Sequence, residues 1–340
     1  MSAPHHTTDV VIIGAGPVGL FAVFECGMLK LRCHVVDTLD MVGGQCAALY
    51  PEKPIYDIPG SPAVMAGDLI DNLMEQAEPF DPVFHLDQQV TAVEEQGERF
   101  VVTTSRGVSI DAGAVIIAAG AGAFGPNKPP MKGLDAYEET GAVQYYIRRR
   151  KDFEGKRLVI AGGGDSAVDW AISLSELAES VQLVHRRPKF RCAPESLARM
   201  KALEDSGKVE LVVPYQLKGI HGTDGQIEAV EVATLKGESR MLECDHLLPF
   251  YGLAMTLGPI ADWGLGLERN HIAIDPLTAA TNRPGIYAIG DIATYQNKLK
   301  LILTGFAESA QAAHHIWHRL NPGEALHFEY STTKGVPAEE

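Results

Sequence analysis

Three glycines near the amino terminus have the spacing of a dinucleotide-binding loop. Gly14, Gly16 and Gly19 form the pattern G-x-G-x-x-G in the segment GAGPVG, with Pro17 inside it. The first glycine permits a tight turn, the second lets backbone approach a pyrophosphate, and the third lets a helix pack closely on a strand. Asp37 ends the next apolar run, where a carboxylate can accept a hydrogen bond from a ribose hydroxyl. An accidental glycine turn is the alternative, but this context predicts a dinucleotide site.

A second loop of the same kind begins at Gly162. In AGGGDSAVD, Gly162 and Gly164 hold the first two positions and Ala167 the third, which the fingerprint allows, while Asp165 and Ser166 begin the helix. The following strand ends in basic residues where the first loop has an acid; they are His185, Arg186, Arg187 and Arg191. Arginine at that place binds a 2′-phosphate and so favours NADP over NAD. A solvated basic turn is the alternative interpretation.

The two loops therefore differ in the chemistry of their ribose ends. The acidic end suits the adenosine of FAD and the basic end suits NADPH, so that one domain holds a flavin and the other supplies its hydride donor. We predict an α/β fold with two Rossmann-like dinucleotide-binding domains, the second inserted in the first. The FAD-binding domain is predicted at 1–121 and 285–340, and the NADPH-binding domain at 122–284.

Apolar periodicity predicts the elements that hold these loops. Each loop joins a strand to a helix and the helix to a second strand, and the predicted ranges are 9–13, 17–30 and 33–37, then 157–161, 164–178 and 181–185. A helix over 64–78, antiparallel meanders over 83–118 and 208–250, a strand at 285–291 and a helix at 304–320 complete the prediction. The segment 41–62 is rich in proline and glycine and is predicted to lack regular structure.

Charge and cysteine content exclude several kinds of partner and site. The formal net charge of −15 argues against nonspecific binding to nucleic acid or to an anionic membrane. The five cysteines include no C-x-x-C pair, so neither a disulfide framework nor a zinc site is predicted. No segment reaches the ~18 apolar residues of a membrane helix, and the first residues do not resemble a signal peptide. We therefore expect a cytoplasmic protein.

Two other charged or polar motifs are weak signals. The pairs His5–His6 and His314–His315 are not interpreted as metal ligands, because adjacent residues on a helix point in different directions. We predict no metal. The run RRRK at 148–151 is typical of a solvated face, and it is also a candidate docking patch for an acidic protein.

Four motifs together resemble a known family. GAGPVG, GGQCAALYPEKPIYDIPG, AGGGDSAVDWA and IYAIGD resemble the flavoproteins with two dinucleotide-binding domains that are built like thioredoxin reductase. The resemblance covers nearly the whole chain, and GGQ followed by ALYPEKPIYDIPG is most similar to ferredoxin–NADP reductases of the thioredoxin-reductase-like type. It implies FAD and NADPH as cofactors, a ferredoxin or similar small iron–sulfur protein as partner, and a homodimer.

The cysteine pattern departs from that of the disulfide reductases of the same build. Thioredoxin reductases carry C-x-x-C shortly before the second glycine loop, where this chain has GAVQYYIRRRKDFEGKR. Glutathione-reductase-like enzymes place a redox pair after the first glycine unit, where Cys46 has no second cysteine and Pro51 follows instead. Without a second sulfur, electrons must leave directly from the flavin. A disulfide or peroxide-system reductase and a flavin-binding redox sensor remain the alternatives.

The resemblance also implies roles for individual residues around the flavin. Asp37 would bind the adenosine ribose, and Asp291 of the IGD motif would hold the ribityl chain. Gln45 and Tyr50 would lie at the isoalloxazine ring, with Tyr50 stacked on one face. Val90 would contact the adenine side through its backbone.

The remaining implied contacts involve the linker and the carboxyl-terminal tail. Phe124 would lie in the flavin region. A tail segment, from the other subunit of a dimer, would cover the second flavin face, with Tyr330 stacking on it and Thr332 in contact. Tyr50 and Tyr330 are thus the candidate catalytic residues, and ordinary packing is the alternative for both.

Overall fold

The chain is organised as two compact units. The computed structural model describes residues 5–120 and 122–326. The first unit comprises the described residues up to Phe124 and from Met255 onward, and the second comprises Gly125–Ala254. The chain leaves the first unit once and returns to it once, so the second unit is inserted in the first. In these residues no helix combines the length and the apolar character that crossing a membrane requires.

The return to the first unit differs from the predicted boundary. The sequence predicted that the inserted domain would extend from 122 to 284, whereas the second unit ends at Ala254. Ile260, Trp263 and Ile272 belong to the buried core of the first unit, which explains why residues 255–284 group with it. These apolar residues are scattered between turns, so no local pattern marks their long-range packing.

The first part of the first unit contains the strands and helices around the first glycine loop. Its helices are α1 (Pro17–Met28), α2 (Gly44–Leu49) and α3 (Ala66–Ala77). Its strands are β1 (His5–Ile13), β2 (Cys33–Val36), β3 (Pro54–Ile55), β4 (Val64–Met65), β5 (Val83–His85), β6 (Val90–Gln96), β7 (Arg99–Thr104), β8 (Ser109–Ile117) and β9 (Ala123–Pro126), the last of which continues into the second unit.

The second unit carries the other glycine loop. Its helices are α4 (Leu134–Glu139), α5 (Asp165–Leu174) and α6 (Pro194–Asp205). Its strands are β10 (Arg157–Ala161), β11 (Ser180–Val184), β12 (Val209–Val212), β13 (Gln216–Thr223), β14 (Gln226–Ala233), β15 (Ser239–Glu243), β16 (His246–Pro249) and β17 (Leu253–Thr256), the last of which continues into the first unit. The returning chain then forms β18 (Leu267–Glu268), β19 (His271–Ala273), β20 (Ile286–Ala288), β21 (Ala293–Thr294) and α7 (Ile302–Leu320).

The main sheet of the first unit brings the loops that follow β1 and β2 to the same edge, at the carboxyl ends of its parallel strands. The strand order is β5-β2-β1-β8-β7-β6, with β20 beside β8. β1 is parallel to both neighbours, so Val10 pairs with Cys33 on one side and with Ala114 on the other. The apolar run of β1 is buried on both faces, as its continuity predicts. Gly14 and Asp37 follow the carboxyl ends of β1 and β2, where open parallel sheets bind ligands.

The second unit repeats this plan with a smaller sheet. The order is β12-β11-β10-β16, and all three pairings are parallel. The meander predicted over 208–250 is wrong at both ends, because β12 and β16 join the parallel sheet and only β13–β15 are antiparallel. Both strands are short and apolar, so their sequence does not distinguish a parallel partner from an antiparallel one.

The segment 41–62 is more regular than its composition predicts. It contains α2 and β3, and β3 pairs with β4. Gly43 and Gly44 adopt left-handed backbone, with φ of 109° and 54°, and turn the chain into α2. The helix stops just before Pro51, so proline and glycine here delimit a short element rather than exclude one.

Two buried histidines beside the Asp37 strand make the fold sensitive to acid. Nδ1 of His34 and Nε2 of His85 are 2.9 Å apart. Burial, then the neighbouring His85, His6 and Arg32, lower the pKa of His34 from 6.5 to about 4, and burial also lowers the pKa of His85. The unfolded chain therefore takes up these protons before the folded chain does, and stability is lost as the pH falls from about 6.5 to about 4.

We expect His34→Asn to weaken this acid-induced loss. In the wild type, His34 should lower the free energy of unfolding by about 1–2 kcal/mol between pH 7 and pH 4.5. Solvent screening makes this smaller than the value that the pKa shift alone would give. Urea denaturation at pH 7 and at pH 4.5 measures it. The exposed His221 provides the control, since His221→Asn removes a histidine without touching the pair. An equal loss in His34→Asn and wild type would contradict this assignment.

Candidate functional site

The first glycine loop is shaped by two positions where no side chain fits. Gly14 has φ of 115°, and a Cβ on it would lie 2.3 Å from the carbonyl oxygen of Ala118. A Cβ on Gly19 would lie 2.0 Å from the carbonyl oxygen of Gly14. Both obstacles are backbone atoms that cannot move aside. These two glycines therefore serve the turn and the packing of α1 on β1, as the fingerprint predicts.

Gly16 differs, because the space beside it is free of protein. A Cβ there would meet no protein atom within 4 Å, and its φ of −73° is open to any residue. Gly16 is the residue before α1, and Pro17 is the first residue of that helix. The helix begins without a side-chain cap, so its first amides can bind an anion. The free space beside Gly16 therefore allows a pyrophosphate to lie directly against the backbone at the start of α1.

Asp37 is fixed against this loop by backbone amides. The amide of Ala15 donates to its Oδ2 (2.6 Å) and the amide of Leu39 to its Oδ1 (2.8 Å). Burial raises the pKa of Asp37, and these amides partly offset that effect. The carboxylate is therefore held in one orientation, and each oxygen retains a lone pair that can accept from a ribose hydroxyl.

A narrow pocket continues from Asp37 into the core of the first unit. Val90, predicted to contact the adenine, lines it together with Gln88 and Trp263. Trp263 is 8% exposed, and its indole Nε1 is buried with no hydrogen-bond partner in the part of the chain that the structure describes. The aromatic and amide walls of this pocket suit a heteroaromatic base. Sequence reasoning missed Trp263, because only tertiary packing brings it here.

The predicted isoalloxazine residues lie together on and after α2. Gln45 is in the first turn of the helix, and its Nε2 lies 3.9 Å from the position of a Cβ on Gly120. Sγ of Cys46 lies 3.9 Å from the hydroxyl of Tyr50, at the end of the helix. Burial is the main reason that the pKa of Tyr50 is strongly raised and that of Cys46 is raised to about 11. Both groups therefore stay neutral at physiological pH.

Asp291 acts electrostatically on these two residues. Its negative charge is a minor cause of the raised pKa values of Cys46 and Tyr50, after burial. It is exposed and follows Gly290, whose φ is 73°. Asp291 is thus electrostatically coupled to Tyr50, and its contact with the ribityl chain stays a prediction.

The second loop repeats the geometry of the first. Gly162 has φ of 158°, and a Cβ on it would lie 2.7 Å from the carbonyl oxygen of Phe250. Gly164, the residue before α5, has free space instead, because the nearest atom to its Cβ position would be the Arg191 carbonyl oxygen at 3.9 Å. Asp165 and Ser166, in the first turn of α5, are exposed. The loop therefore offers a second open helix end.

The middle glycine of this loop has a role that sequence reasoning missed. A Cβ on Gly163 would lie 2.1 Å from Cε1 of His185, so the imidazole packs directly over the loop. The ring of His185 also contacts Phe190, with centroids 5.0 Å apart. Burial, more than the arginines around it, lowers the pKa of His185. A neutral imidazole thus forms a wall of the loop. The run of three glycines was the feature of the sequence that could have indicated this close contact.

The basic residues that follow β11 are positioned beside this loop. Arg186, Arg187 and Arg191 are exposed. The amide of Arg191 donates to the carbonyl of Gly163 (2.7 Å), and the amide of Ala193 donates to Oδ1 of Asp165 (3.0 Å). The Asp165 carboxylate therefore accepts a hydrogen bond from the arginine segment and holds that segment beside the loop.

Tyr251 is a further aromatic residue near these arginines. Burial raises its pKa to about 12, and the positive charge of Arg186 opposes that rise. Its phenol therefore stays protonated at physiological pH. No pattern in the sequence pointed to it.

The cysteines do not form a redox pair at the flavin side. All five are free thiols. The neighbouring Cys26 thiol and burial raise the pKa of Cys33 well above its usual range, and Sγ of Cys33 lies 3.7 Å from the carbonyl oxygen of Leu31. Cys26 lies near the end of α1, about 15 Å from Gly16 at a rise of ~1.5 Å per residue. A buried thiol with a raised pKa is a poor nucleophile.

Three of the predicted flavin contacts fall outside what the structure describes. Tyr330 and Thr332 lie outside the described residues, as does the side chain of Phe124. Their roles at the flavin remain predictions.

Comparison with known proteins agrees with this architecture. Residues 8–315 match the family described as Pyridine nucleotide-disulphide oxidoreductase. Proteins named ferredoxin–NADP reductase are 64% identical in Rhodospirillum rubrum, covering 97% of this chain and 96% of that protein, and 63% identical in Paramagnetospirillum magneticum, covering 98% of each. The protein of that name from Rickettsia bellii is 54% identical over 97% of this chain and 99% of its own length.

Solved structures show the same fold at lower identity. Thioredoxin reductase of T. acidophilum superposes with a TM-score of 0.80 at 23% identity, covering 93% of this chain and 99% of that chain. Thioredoxin reductase of Lactococcus lactis gives a TM-score of 0.76 at 26% identity, with 92% and 99% covered. With two glycine loops, one per unit, and relatives that match it almost from end to end, the chain belongs to the pyridine nucleotide-disulphide oxidoreductase family.

Proposed function

We propose that this protein is an FAD-dependent oxidoreductase that exchanges electrons between NADP(H) and ferredoxin or a similar one-electron iron–sulfur carrier. The first unit binds FAD and the second binds NADP(H). The observation that carries this proposal is the pair of open glycine loops with opposite charge at their ribose ends, Asp37 in one and Arg186 with Arg187 in the other. Near-full-length relatives named ferredoxin–NADP reductase support the choice of acceptor.

Several residues of the first unit would hold FAD. The free space at Gly16 and the first amides of α1 receive the pyrophosphate, and Asp37 accepts from the adenosine ribose. The indole of Trp263 forms a wall of the adenine pocket. Tyr50 stacks on the ring system as a neutral phenol, and Asp291 hydrogen-bonds the ribityl chain. When bound, FAD supplies the redox chemistry by accepting a hydride from NADPH and releasing electrons singly.

The second unit would select the phosphorylated coenzyme. Gly164 and the start of α5 receive the pyrophosphate, and His185 closes one side of the loop as a neutral ring. Arg186, Arg187 and Arg191 bind the 2′-phosphate through charge-assisted hydrogen bonds. Asp165 keeps the arginine segment in place through its bond to the Ala193 amide.

The remaining parts of the proposal concern assembly and location. We propose that the protein is a cytoplasmic homodimer in which the tail of one subunit covers the flavin of the other. Tyr330 would stack on the second flavin face, with Thr332 in contact, and Phe124 would lie in the flavin region. The resemblance to two-domain flavoproteins supports this arrangement.

Reduction of cytochrome c by NADPH, with and without added ferredoxin, tests the proposed activity. We expect the rate to rise and saturate with ferredoxin concentration, because ferredoxin carries single electrons from the enzyme to the cytochrome. A rate that ferredoxin leaves unchanged would contradict the proposal. In the same assay series, NADPH-dependent reduction of thioredoxin would favour the disulfide-reductase alternative, and failure to reduce ferricyanide would favour a redox sensor.

A further inference from the structure

A buried carboxylate connects α7 to the Asp291 turn. Glu308 lies in α7 and is 2% exposed. Its Oε2 accepts a hydrogen bond from the amide of Gly290 at 2.8 Å. Its Oε1 accepts from the hydroxyl of Tyr295 at 2.9 Å and from Nζ of Lys298. Every one of these partners comes from the segment that contains Asp291.

The charge of this carboxylate is balanced inside the protein. The side chain of Lys298 is 5% exposed, so both members of the ion pair are buried. Its ammonium also lies 5.3 Å from the centre of the Tyr295 ring. Burial and the bond to Glu308 raise the pKa of Tyr295 to about 12, so the phenol remains a donor. Removing one member of such a pair leaves an uncompensated buried charge, whereas replacing both with neutral side chains is tolerated.

The same junction reaches the first glycine loop. The hydroxyl oxygen of Ser309 lies 3.2 Å from the carbonyl oxygen of Val18, within the GAGPVG loop, and 2.9 Å from that of Gly305, the nearer acceptor for its single proton. A Cβ on Gly305 would lie 2.4 Å from a methyl carbon of Val18 and 3.2 Å from Cα of Gly290. Direct contacts therefore join α7, the start of α1 and the Gly290 turn. Because these elements are closely packed, displacing one of them displaces the others.

We propose that Glu308 is a positioning residue for the flavin site, which fixes the Gly290–Asp291 turn through the Gly290 amide. Asp291 is exposed and follows Gly290, which has left-handed backbone. Burial of the Asp291 side chain therefore does not fix the position of this residue. The Glu308 acceptor fixes it instead, and Lys298 with Tyr295 keeps the carboxylate aimed at the amide. This inference rests on the proposed placement of FAD at Asp291.

Two matched double variants separate the acceptor from the ion pair. Lys298→Met with Glu308→Gln removes both charges, but the introduced amide would keep an oxygen for the Gly290 amide and an N–H₂ for the Tyr295 oxygen. Lys298→Met with Glu308→Leu removes both charges and the acceptor. The readout is the release of FAD from the full-length holoprotein after dilution, followed by the fluorescence of free FAD.

We expect the double variant with Glu308→Gln to release FAD within about threefold of the wild-type rate, and the one with Glu308→Leu to release it at least about tenfold faster. Equal release by the two variants would overturn the inference. Hydrogen exchange of the peptide containing Gly290 gives a second test, which does not require the leucine variant to fold. The Gly290 amide should be protected from exchange in the wild type and in the variant with Glu308→Gln. Rapid exchange of this amide in both proteins would also overturn the inference.

Asp291→Ala distinguishes this inference from the function on which it rests. If Asp291→Ala retains FAD as long as the wild type, the proposed flavin site is wrong. If Asp291→Ala loses FAD rapidly while the two double variants behave alike, the flavin site stands and only the role of Glu308 fails.

Discussion

Replacing Gly16 with alanine is expected to yield a folded protein that binds FAD about 100-fold more weakly than the wild type. The Cβ would meet no protein atom within 4 Å, so the fold has no reason to resist it. It would instead occupy the space that the pyrophosphate needs for its approach to the backbone. Titration of the apoprotein with FAD, followed by quenching of flavin fluorescence, measures the affinity.

Gly19→Ala is the matched variant for this prediction. Its Cβ would lie 2.0 Å from the Gly14 carbonyl oxygen, so it should destabilise the protein itself by at least about 3 kcal/mol. The thermal midpoint of apo Gly16→Ala should stay within about 2 °C of the wild type. If Gly16→Ala bound FAD normally, the pyrophosphate would not lie at this loop.

Replacing Arg186 and Arg187 with alanine is expected to lower the second-order rate constant for flavin reduction by NADPH by about 100-fold, while changing that for NADH by less than about threefold. Each charge-assisted hydrogen bond to the 2′-phosphate contributes about a factor of ten, and NADH has no such phosphate. Both side chains are exposed, so the fold does not depend on them. Stopped-flow reduction of the flavin by each coenzyme provides the measurement.

The control for this variant removes two positive charges elsewhere in the second unit. Lys201 and Lys236 are exposed, and their replacement by alanine should leave both coenzymes unaffected. If this control lost NADPH activity equally, net charge and not phosphate recognition would explain the effect. An unchanged NADPH preference in the arginine variant would contradict the assignment of the basic segment.

Local patterns predicted the parts of the site that lie on a glycine loop or at the end of a strand. The two G-x-G-x-x-G-type loops each combine a buried strand, a glycine turn and a helix, and that combination is encoded within a few dozen residues. Asp37 and the Arg186 segment follow from the same pattern, since each ends the next strand. The structure shows the expected parallel pairing at both places.

Residues brought in by tertiary packing could not be predicted in this way. Trp263 enters the Asp37 pocket from the segment that the sequence assigned to the other domain. Glu308 has the pattern of an ordinary helical residue, and only its buried contacts with Gly290 and Lys298 reveal it. The short helix α2 was missed because two left-handed glycines begin it and a proline follows its end, and both residue types usually indicate a loop.

We propose that electrons leave this protein directly from the flavin, without a sulfur couple. The most direct measurement is ferredoxin-dependent cytochrome c reduction by the variant Cys46→Ser with Cys192→Ser, which removes the thiol beside Tyr50 and the half-buried thiol of the second unit. We predict a rate within about twofold of the wild type, because neither thiol carries electrons. A fall below a tenth of the wild-type rate, with FAD still bound, would contradict the account.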